Sequence, residues 1–279
     1  MSIDQGVEKV QTGFLTLPGS TLTPATNTGD AFYYNRALTR WMAWDPSVQS
    51  DDGSSYAYVD GDKSSSRLHV VDVRANNDRV LAEGGPWSVI GLQPDAVYVT
   101  RVEYLPESQA FGVLVKPLSL WRVPLMGGGA VQLTDDTMAW VYASQGAAWA
   151  LSRSLNIAGA PTDVLRLDLK TKQVTTWFAP GKRTAVLAID SGGVPLIMSE
   201  ADSFDLWRVP APDGAVKVWS AADNEMGPYS PVAVDGRVIW ISSHSMTRES
   251  GIYRYSAAKG VELVANFKDR LVWVAGPCA

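Results

Sequence analysis

Leu120-Trp121-Arg122-Val123-Pro124 recurs letter for letter as Leu206-Trp207-Arg208-Val209-Pro210, and three looser copies accompany the identical pair. They are Leu68-His69-Val70-Val71-Asp72, Val164-Leu165-Arg166-Leu167-Asp168 and Ile252-Tyr253-Arg254-Tyr255-Ser256. The copies begin at residues 68, 120, 164, 206 and 252, at spacings of 52, 44, 42 and 46 residues. A period of roughly 40 to 50 residues, each holding four short β-runs, is the signature of propeller blades.

Each unit divides into four runs, A to D, rich in β-branched and aromatic residues and separated by Gly, Pro, Asp or Ser. The second unit gives 87–92, 96–101, 118–125 and 130–133, and the third gives 138–143, 147–152, 164–169 and 173–178. The fourth reads 184–189, 194–199, 205–209 and 216–220, and the fifth 229–234, 237–242, 251–256 and 261–265. The A to B turns carry Gly at comparable places, in Asp52-Gly53, Gln145-Gly146, Gly192-Gly193 and Asp235-Gly236. A tight hairpin needs residues that tolerate positive φ.

In the first unit Ser50-Asp51-Asp52-Gly53 leads into Ser55-Tyr56-Ala57-Tyr58-Val59 and then Arg67-Leu68-His69-Val70-Val71-Asp72-Val73. This stretch resembles the PD40, or WD40-like, repeat of TolB-type propellers, whose blade carries Ser-Pro-Asp-Gly, a short β-run and a Leu-Tyr-Val-Val-Asp-like strand. The resemblance is strongest over residues 46–85; elsewhere the turn proline is missing and only Gly or Asp-Gly remains. It implies a propeller, often six-bladed and often outside the bacterial cytoplasm, used as a binding scaffold.

Both ends of the chain are incomplete units. Residues 270–275 read as a lone inner strand, while 10–17, 31–37 and 39–44 read as strands B, C and D. Pairing the C-terminal strand with the N-terminal strands removes the exposed edges an open ring would carry. The expected fold is an all-β, six-bladed β-propeller with four antiparallel strands per blade, closed in that way and forming a single domain over 1–279. Its blades are expected at 46–85, 86–136, 137–182, 183–226 and 227–268, with the last made from 269–279 plus 8–45. Five blades would leave the N-terminal residues unused, and seven would make each blade too short.

Composition narrows function mainly by exclusion. Against 24 basic side chains stand 29 acidic ones, a net charge of -5 with no basic block, so there is no electrostatic footprint for nucleic acid. The apolar runs are strand-length, far short of the roughly 20 residues that cross a bilayer. Residues 1–10 show no signal-peptide pattern, so either the protein is cytoplasmic or its leader or anchor lies outside this chain. The resemblance favours an extracytoplasmic protein, and a monomer is expected. Cys278, the one cysteine, has no partner within the chain for a disulfide.

Motifs for chemistry are scarce. With His69 and His244 as the only histidines, catalysis and metal binding through imidazole have little material. His69 occupies a strand position that elsewhere holds Trp, Leu or Tyr and is expected to be half-buried; His244 opens the loop 244–250 and is freer to act. No Gly-x-Ser-x-Gly elbow is present. Asp60-Gly61-Asp62-Lys63-Ser64 starts like a calcium loop, but Val71 stands where the closing acid belongs. Gly127-Gly128-Gly129 lacks the Lys-Ser/Thr of a phosphate loop, and Cys278 has no neighbours for zinc. No metal or cofactor is expected.

Most of the eleven tryptophans are expected in the core: Trp87, Trp140 and Trp273 on inner strands, and Trp121 and Trp207 between blades. Trp177 and Trp219, on outer strands, should be partly exposed. The recurring Arg122, Arg166, Arg208 and Arg254 should face outward or pair between blades.

The B to C connections read as long in nearly every blade: 18–30, 61–66, 103–117, 153–163, 200–204 and 243–250. All belong to one face of the ring, and an elaborated face is where a propeller is expected to bind. The candidate ligand-binding residues on it are Asp60, Arg101, Glu103, Tyr104, Arg153, Glu200, Asp202, His244, Arg248 and Glu249. The leading expectation is a non-enzymatic propeller recognising a protein, peptide or small ligand there. A lyase or hydrolase with Glu103 or Glu200 acting beside His244 or Arg153 stands second, and a structural ectodomain third, since the fold serves all of them.

Overall fold

The recurring pentapeptide lies at the third strand of every four-stranded sheet, and its first side chain is the anchor. Leu68, Leu120, Val164 and Leu206 are fully buried, and Ile252 is 3% exposed. Burying such a side chain stabilises by about 1.5–3 kcal/mol relative to leaving it in water. The computed structural model describes residues 13–16, 21–25, 31–35, 40–43, 48–50, 54–61, 65–104, 115–152, 161–200, 204–220, 225–235, 238–245, 250–268 and 272. Among them there is no helix, and so none long and apolar enough to cross a membrane.

Two hairpins come first: β1 (Gly13–Thr16) with β2 (Thr21–Pro24), and β3 (Ala31–Asn35) with β4 (Arg40–Ala43). Five four-stranded antiparallel meanders follow among the described residues. Blade one is β5 (Val48–Gln49), β6 (Ser55–Gly61), β7 (Ser66–Asp72) and β8 (Asn77–Gly85). Blade two is β9 (Trp87–Gln93), β10 (Ala96–Tyr104), β11 (Val115–Pro124) and β12 (Val131–Thr134). Blade three is β13 (Ala139–Ser144), β14 (Ala147–Leu151), β15 (Val164–Asp168) and β16 (Val174–Phe178). Blade four is β17 (Arg183–Ile189), β18 (Pro195–Glu200), β19 (Phe204–Arg208) and β20 (Val216–Ser220). Blade five is β21 (Glu225–Asp235), β22 (Val238–Ser245), β23 (Ser250–Ser256) and β24 (Gly260–Phe267).

The sheets stack face to face, with the first strands of successive blades lying against one another, β9 on β13, β13 on β17 and β17 on β21. The hydrophobic core is therefore divided among seams. One cluster joins Ala57 and Leu68 of blade one to Trp87, Val97 and Val123 of blade two; the next joins Ile90, Tyr98 and Leu120 to Trp140, Ala148 and Leu165. Others join blades three and four through Trp149, Phe178 and Ile197, and blades four and five through Leu196, Leu206 and Ile241. A further cluster, of Trp240, Ile252 and Ala265, lies on the far face of blade five and is covered in part by Val272. Because blades two, three and four are packed on both faces, their inner strands read as apolar runs with little alternation.

Polar bonds cross the same seams. The Tyr142 hydroxyl donates to the Leu187 carbonyl at 2.6 Å, the Trp177 indole to that of Val209 at 2.8 Å, and the Gln145 amide to that of Ser191 at 2.7 Å. Rings meet there too, Phe178 with Trp207 and Trp219 with Tyr253. The outer-strand Trp177 and Trp219 are partly exposed, as the sequence predicts. Trp273 lies outside the described residues.

Three expectations are corrected. The stretch 18–30, read as a connection, contains β2: its Thr-Leu-Thr run between Pro18 and Pro24 is short enough to be masked by its own breakers. His69 is buried, at 7% exposure, because Tyr58 stacks on it at 4.7 Å. The recurrent arginines find acidic partners within their own blades: Arg122 with Asp95 at 2.6 Å, Arg208 with Asp190 at 3.6 Å, Arg254 with Glu262 at 2.7 Å. Arg166, 3.7 Å from Asp168, lies over the rings of Trp149 and Trp177. Of the expected C-terminal inner strand only Val272 is described, so its pairing with the N-terminal strands falls outside the described residues.

Candidate functional site

In an antiparallel meander the B to C and D to A connections share one end of every sheet, and the A to B and C to D turns share the other. The first end holds Asp60, Arg101, Glu103, Tyr104, Glu200 and His244 among the described candidates, but its elaboration is local. Strands run further than their apolar cores suggest, so the B to C connections shrink to 62–65 in blade one, 201–203 in blade four and 246–249 in blade five. Only 105–114 and 152–163, in the adjacent blades two and three, are long. The expectation of long connections in nearly every blade is thereby corrected. At the opposite end the C to D turns of blades two and four, 125–130 and 209–215, are longer than three of those connections.

In blade two the second and third strands extend past the first at this end. Pairing of β10 with β9 stops at Arg101 opposite Trp87. The β10–β11 ladder continues through Val102 opposite Pro117, Glu103 opposite Lys116 and Tyr104 opposite Val115, after a register shift between Arg101 and Val102. The hairpin thus stands beyond its own sheet, and a bulge of this kind re-aims the strand that carries it. Arg101 is exposed and packs over Gly85, where an added Cβ would sit 3.2 Å from its Nε. Glu103 and Lys116 are about half exposed, 3.8 Å apart.

Asp60, at the end of β6, is committed elsewhere. Its carboxylate accepts from Arg67 Nη2 at 2.7 Å and Nε at 3.1 Å, and lies 3.3 Å from His69 Nε2. On its other side His69 Nδ1 is 2.9 Å from Asp78, which also accepts from the Tyr58 hydroxyl at 2.6 Å. Hydrogen bonding from Arg67 holds the Asp60 carboxyl below its ordinary range. Burial opposes ionisation of Asp78, yet the bonds from Tyr58 and His69 outweigh it and lower that group too. Desolvation, reinforced by the Asp78 carboxylate, raises the Tyr58 phenol. Tyr58, Asp60, Arg67 and His69 share the face of blade one turned away from blade two, as the register of β6 on β7 dictates. The calcium-like start at 60–64 therefore has its first carboxylate in an ion pair.

Glu200 closes β18 opposite Arg183 and Phe204, and His244 lies near the end of β22 opposite Met226 and Ser250. Arg153, Asp202, Arg248 and Glu249 lie outside the described residues. Topology thus places Arg101, Glu103 and Tyr104 together on one strand and Asp60, Glu200 and His244 at the same end of other blades. Sequence reading missed Asp205, a nearly buried carboxylate at the start of β19, 2.7 Å from Lys217 and 2.5 Å from the Ser220 hydroxyl. Its signal was an acid directly before one identical pentapeptide, where the other copy has Ser119. Among the described residues no group of three or more His, Cys, Asp or Glu is placed to hold a metal.

No protein-family profile matches the sequence, and no curated protein aligns with it. Solved structures do share the fold. TolB from Acinetobacter baumannii superposes with a TM-score of 0.52 at 13% identity, over 80% of this chain and 55% of that one. An oligogalacturonate lyase in complex with manganese gives 0.56 at 13% identity, over 92% and 73%. An acylaminoacyl peptidase from Pyrococcus horikoshii gives 0.57 at 9% identity, over 78% and 38%. This chain spans about half the length of that TolB. At these identities the likeness carries the fold alone: an all-β assembly of four-stranded antiparallel blades of the kind found in TolB-like propeller proteins.

Proposed function

We propose that this chain is a single-domain, six-bladed propeller of the TolB type that recognises a protein or peptide through the end bearing its B to C connections, with the contact centred on blades two and three. The observation that carries this reading is the β10–β11 hairpin, which continues past β9 and presents Arg101, Glu103 and Lys116 to solvent at the base of its own long connection, 105–114, in the blade next to the one that carries 152–163. Loops raised on a rigid scaffold are where binding residues concentrate, and exposed opposite charges around them suit the polar rim of an interface. Tyr104, Arg153, Glu200, Asp202, His244, Arg248 and Glu249 are further contributors on this reading. Neighbours in fold include a TolB, a lyase and peptidases, so the fold is neutral between recognition and chemistry. On this reading the protein works outside the cytoplasm, as the resemblance implies, and as a monomer.

The test is capture from the native extract on immobilised protein, in three forms: wild type, a variant with 105–114 replaced by a Gly-Ser linker, and one with the opposite-end turn 209–215 replaced. A partner retained by the wild type and the 209–215 variant but lost with 105–114 replaced is the expected result. Retention by all three forms refutes the assignment of the surface. A thermal-shift screen with metals, sugars, peptides and metabolites runs alongside, because a ligand that binds only the folded form raises the melting temperature. Turnover that depends on Glu103, Glu200 or His244 would instead establish the enzyme reading.

A further inference from the structure

The blades are of two alternating kinds. In blades one, three and five a buried hydroxyl stands two residues before the pentapeptide: Ser66, Thr162 and Ser250. The pentapeptide then ends in Asp72, Asp168 or Ser256, whose side-chain oxygen accepts backbone N–H groups of the following turn, from Arg74 and Ala75, from Lys170 and Thr171, and from Lys259. Each of these turns passes through a left-handed residue, Asn76, Lys172 or Gly260, with φ of 48°, 63° and 74°. Blades two and four have Leu118 and Phe204 at the hydroxyl position, the two identical pentapeptides, and an arginine that reaches back to an A to B turn aspartate, Arg122 to Asp95 and Arg208 to Asp190.

The hydroxyls of the first kind all do one thing. Ser66 Oγ accepts from the N–H of Trp87 at 3.2 Å, Thr162 Oγ1 from that of Thr184 at 2.7 Å, and Ser250 Oγ from that of Val272 at 3.1 Å. Trp87 and Thr184 lie at the start of the inner strands of the next blades, β9 and β17. A buried backbone N–H at a strand end needs an acceptor, and the hydroxyl of the preceding blade supplies it. Two of these hydroxyls also donate onward, Ser66 to the Gly85 carbonyl and Thr162 to the Thr184 carbonyl.

We propose that Ser250 docks the C-terminal strand by the same hydroxyl clasp that joins blade one to two and three to four, so that Val272 opens the inner strand of a further blade, one of the second kind. Val272 also packs on Trp240, Ile252 and Ala265, as Trp87 packs on Ala57 and Leu68 in the first seam. The alternation adds a constraint of its own. A ring in which two kinds alternate closes only on an even number of blades, and the described series begins and ends with the first kind. The inference rests on the six-bladed reading for where the strand goes next, but the clasp itself needs only Ser250 and Val272.

Amide hydrogen exchange read at Trp87, Thr184 and Val272 tests it in the full chain. Val272 should be protected in the wild type, and Ser250→Ala should speed its exchange by about ten-fold, the effect of one lost buried hydrogen bond, while Trp87 and Thr184 keep their rates. Ser250→Thr, which retains the oxygen, should restore the protection, and Thr162→Ala should produce the same acceleration at Thr184. Exchange at Val272 at the rate of a free peptide in the wild type, or unchanged by Ser250→Ala, overturns the clasp. Removal of residues 269–279 separates the two readings: a clasped Val272 in a protein whose truncated form melts at the same temperature keeps the clasp and refutes closure of the ring.

Discussion

Replacing Gly91 by alanine should loosen the seam between blades two and three more than any change of one methyl group elsewhere in the described chain. Gly91 is buried on β9 opposite Tyr98, and a Cβ built on it would lie 2.0 Å from the Ala143 carbonyl oxygen and 2.8 Å from both the carbonyl carbon and Cβ of Ala143. Carbon and oxygen atoms that are not bonded keep at least 3.0 Å apart, so β9 and β13 must separate by about 1 Å. None of the three contacts can be relieved by rotating a side chain, because the obstacle is the backbone and Cβ of the facing strand. The separation is felt by Ile90, Tyr98, Leu120, Trp140 and Ala143, which fill that seam. Overpacking of a close-packed core costs about 1–3 kcal/mol, and the backbone obstacle places this case near 3. For a domain of this size 1 kcal/mol corresponds to about 2–4 °C, so the melting temperature should fall by about 6–12 °C. Differential scanning calorimetry of Gly91→Ala beside Gly214→Ala, whose Cβ would meet only ordinary contacts at 3.5 Å, isolates the clash. A melting point within 1 °C of wild type for Gly91→Ala would refute the close approach of the two blades.

Leu206→Ala, at a fully buried site, should cost about 2–5 kcal/mol in urea unfolding, whereas Leu263→Ala, at 56% exposure, should stay within about 0.5 kcal/mol. Tyr142→Phe removes the bond to the Leu187 carbonyl and should cost about 1–2 kcal/mol at neutral pH. Loss of water around the Tyr142 hydroxyl pushes its pKa up to about 12, above the usual value near 10. The folded form therefore holds that proton more tightly, its stabilisation is complete below pH 10 and fades as pH rises toward 12, and the gap between wild type and Tyr142→Phe should narrow over that window. Asp60 and Asp78 are displaced the other way. Their stabilisation is present above the ordinary carboxylate pKa near 3.9 and is lost as pH falls through their lower folded values, so Asp78→Asn should destabilise clearly at pH 6 and far less at pH 2.5 in denaturant titrations.

What the sequence made legible was whatever is written in apolar residues. The predicted run 216–220 is β20 to the residue, and 147–152 differs from β14 by one position, because each is an apolar or β-branched run stopped by Gly, Asp or Ser. Strand ends with charged or proline residues in them were lost: β10 continues through Glu103 and Tyr104, β11 opens with Val115-Lys116-Pro117, and β21 begins at Glu225. Hydrogen-bond ladders extend these segments without any hydrophobic signal, so the connections between them looked longer than they are. Side-chain partners were illegible for a different reason. That Arg122 meets Asp95, or that His69 lies between Asp60 and Asp78, follows from register, and a shift of one residue would turn each side chain to the opposite face. The blade alternation stood in the sequence all along, as Ser66, Thr162 and Ser250 two places before the repeat, but a hydroxyl at one position in alternate copies acquires meaning only when its acceptor role is seen.

The division of the core among seams also restricts where function can reside. Both faces of blades two, three and four are filled by the contacts between blades, and opening a seam exposes apolar surface at about 25 cal/mol per Å², so no ligand gains access there without unfolding. The outer strands each show one exposed aliphatic side chain, Val80, Val131, Val174, Val216 or Leu263, spaced one to a blade and too scattered to make a patch. Among the described residues of those three blades, the ends of the sheets remain open to a partner. At the turn end the longer loops fall in blades two and four, which are not neighbours, whereas at the other end the long connections belong to adjacent blades, 105–114 joining the two strands of the extended β10–β11 hairpin and 152–163 joining β14 to β15. A partner of ordinary size needs contiguous surface of about 800 Å², and the proposed reading favours the end where the two long connections belong to neighbouring blades. Exchanging the 105–114 segment into the β18–β19 connection at 201–203 would therefore transplant the loop without its neighbour, and it should not transplant binding; a captured partner that follows the loop alone would show that its sequence, and not its setting, is what is recognised.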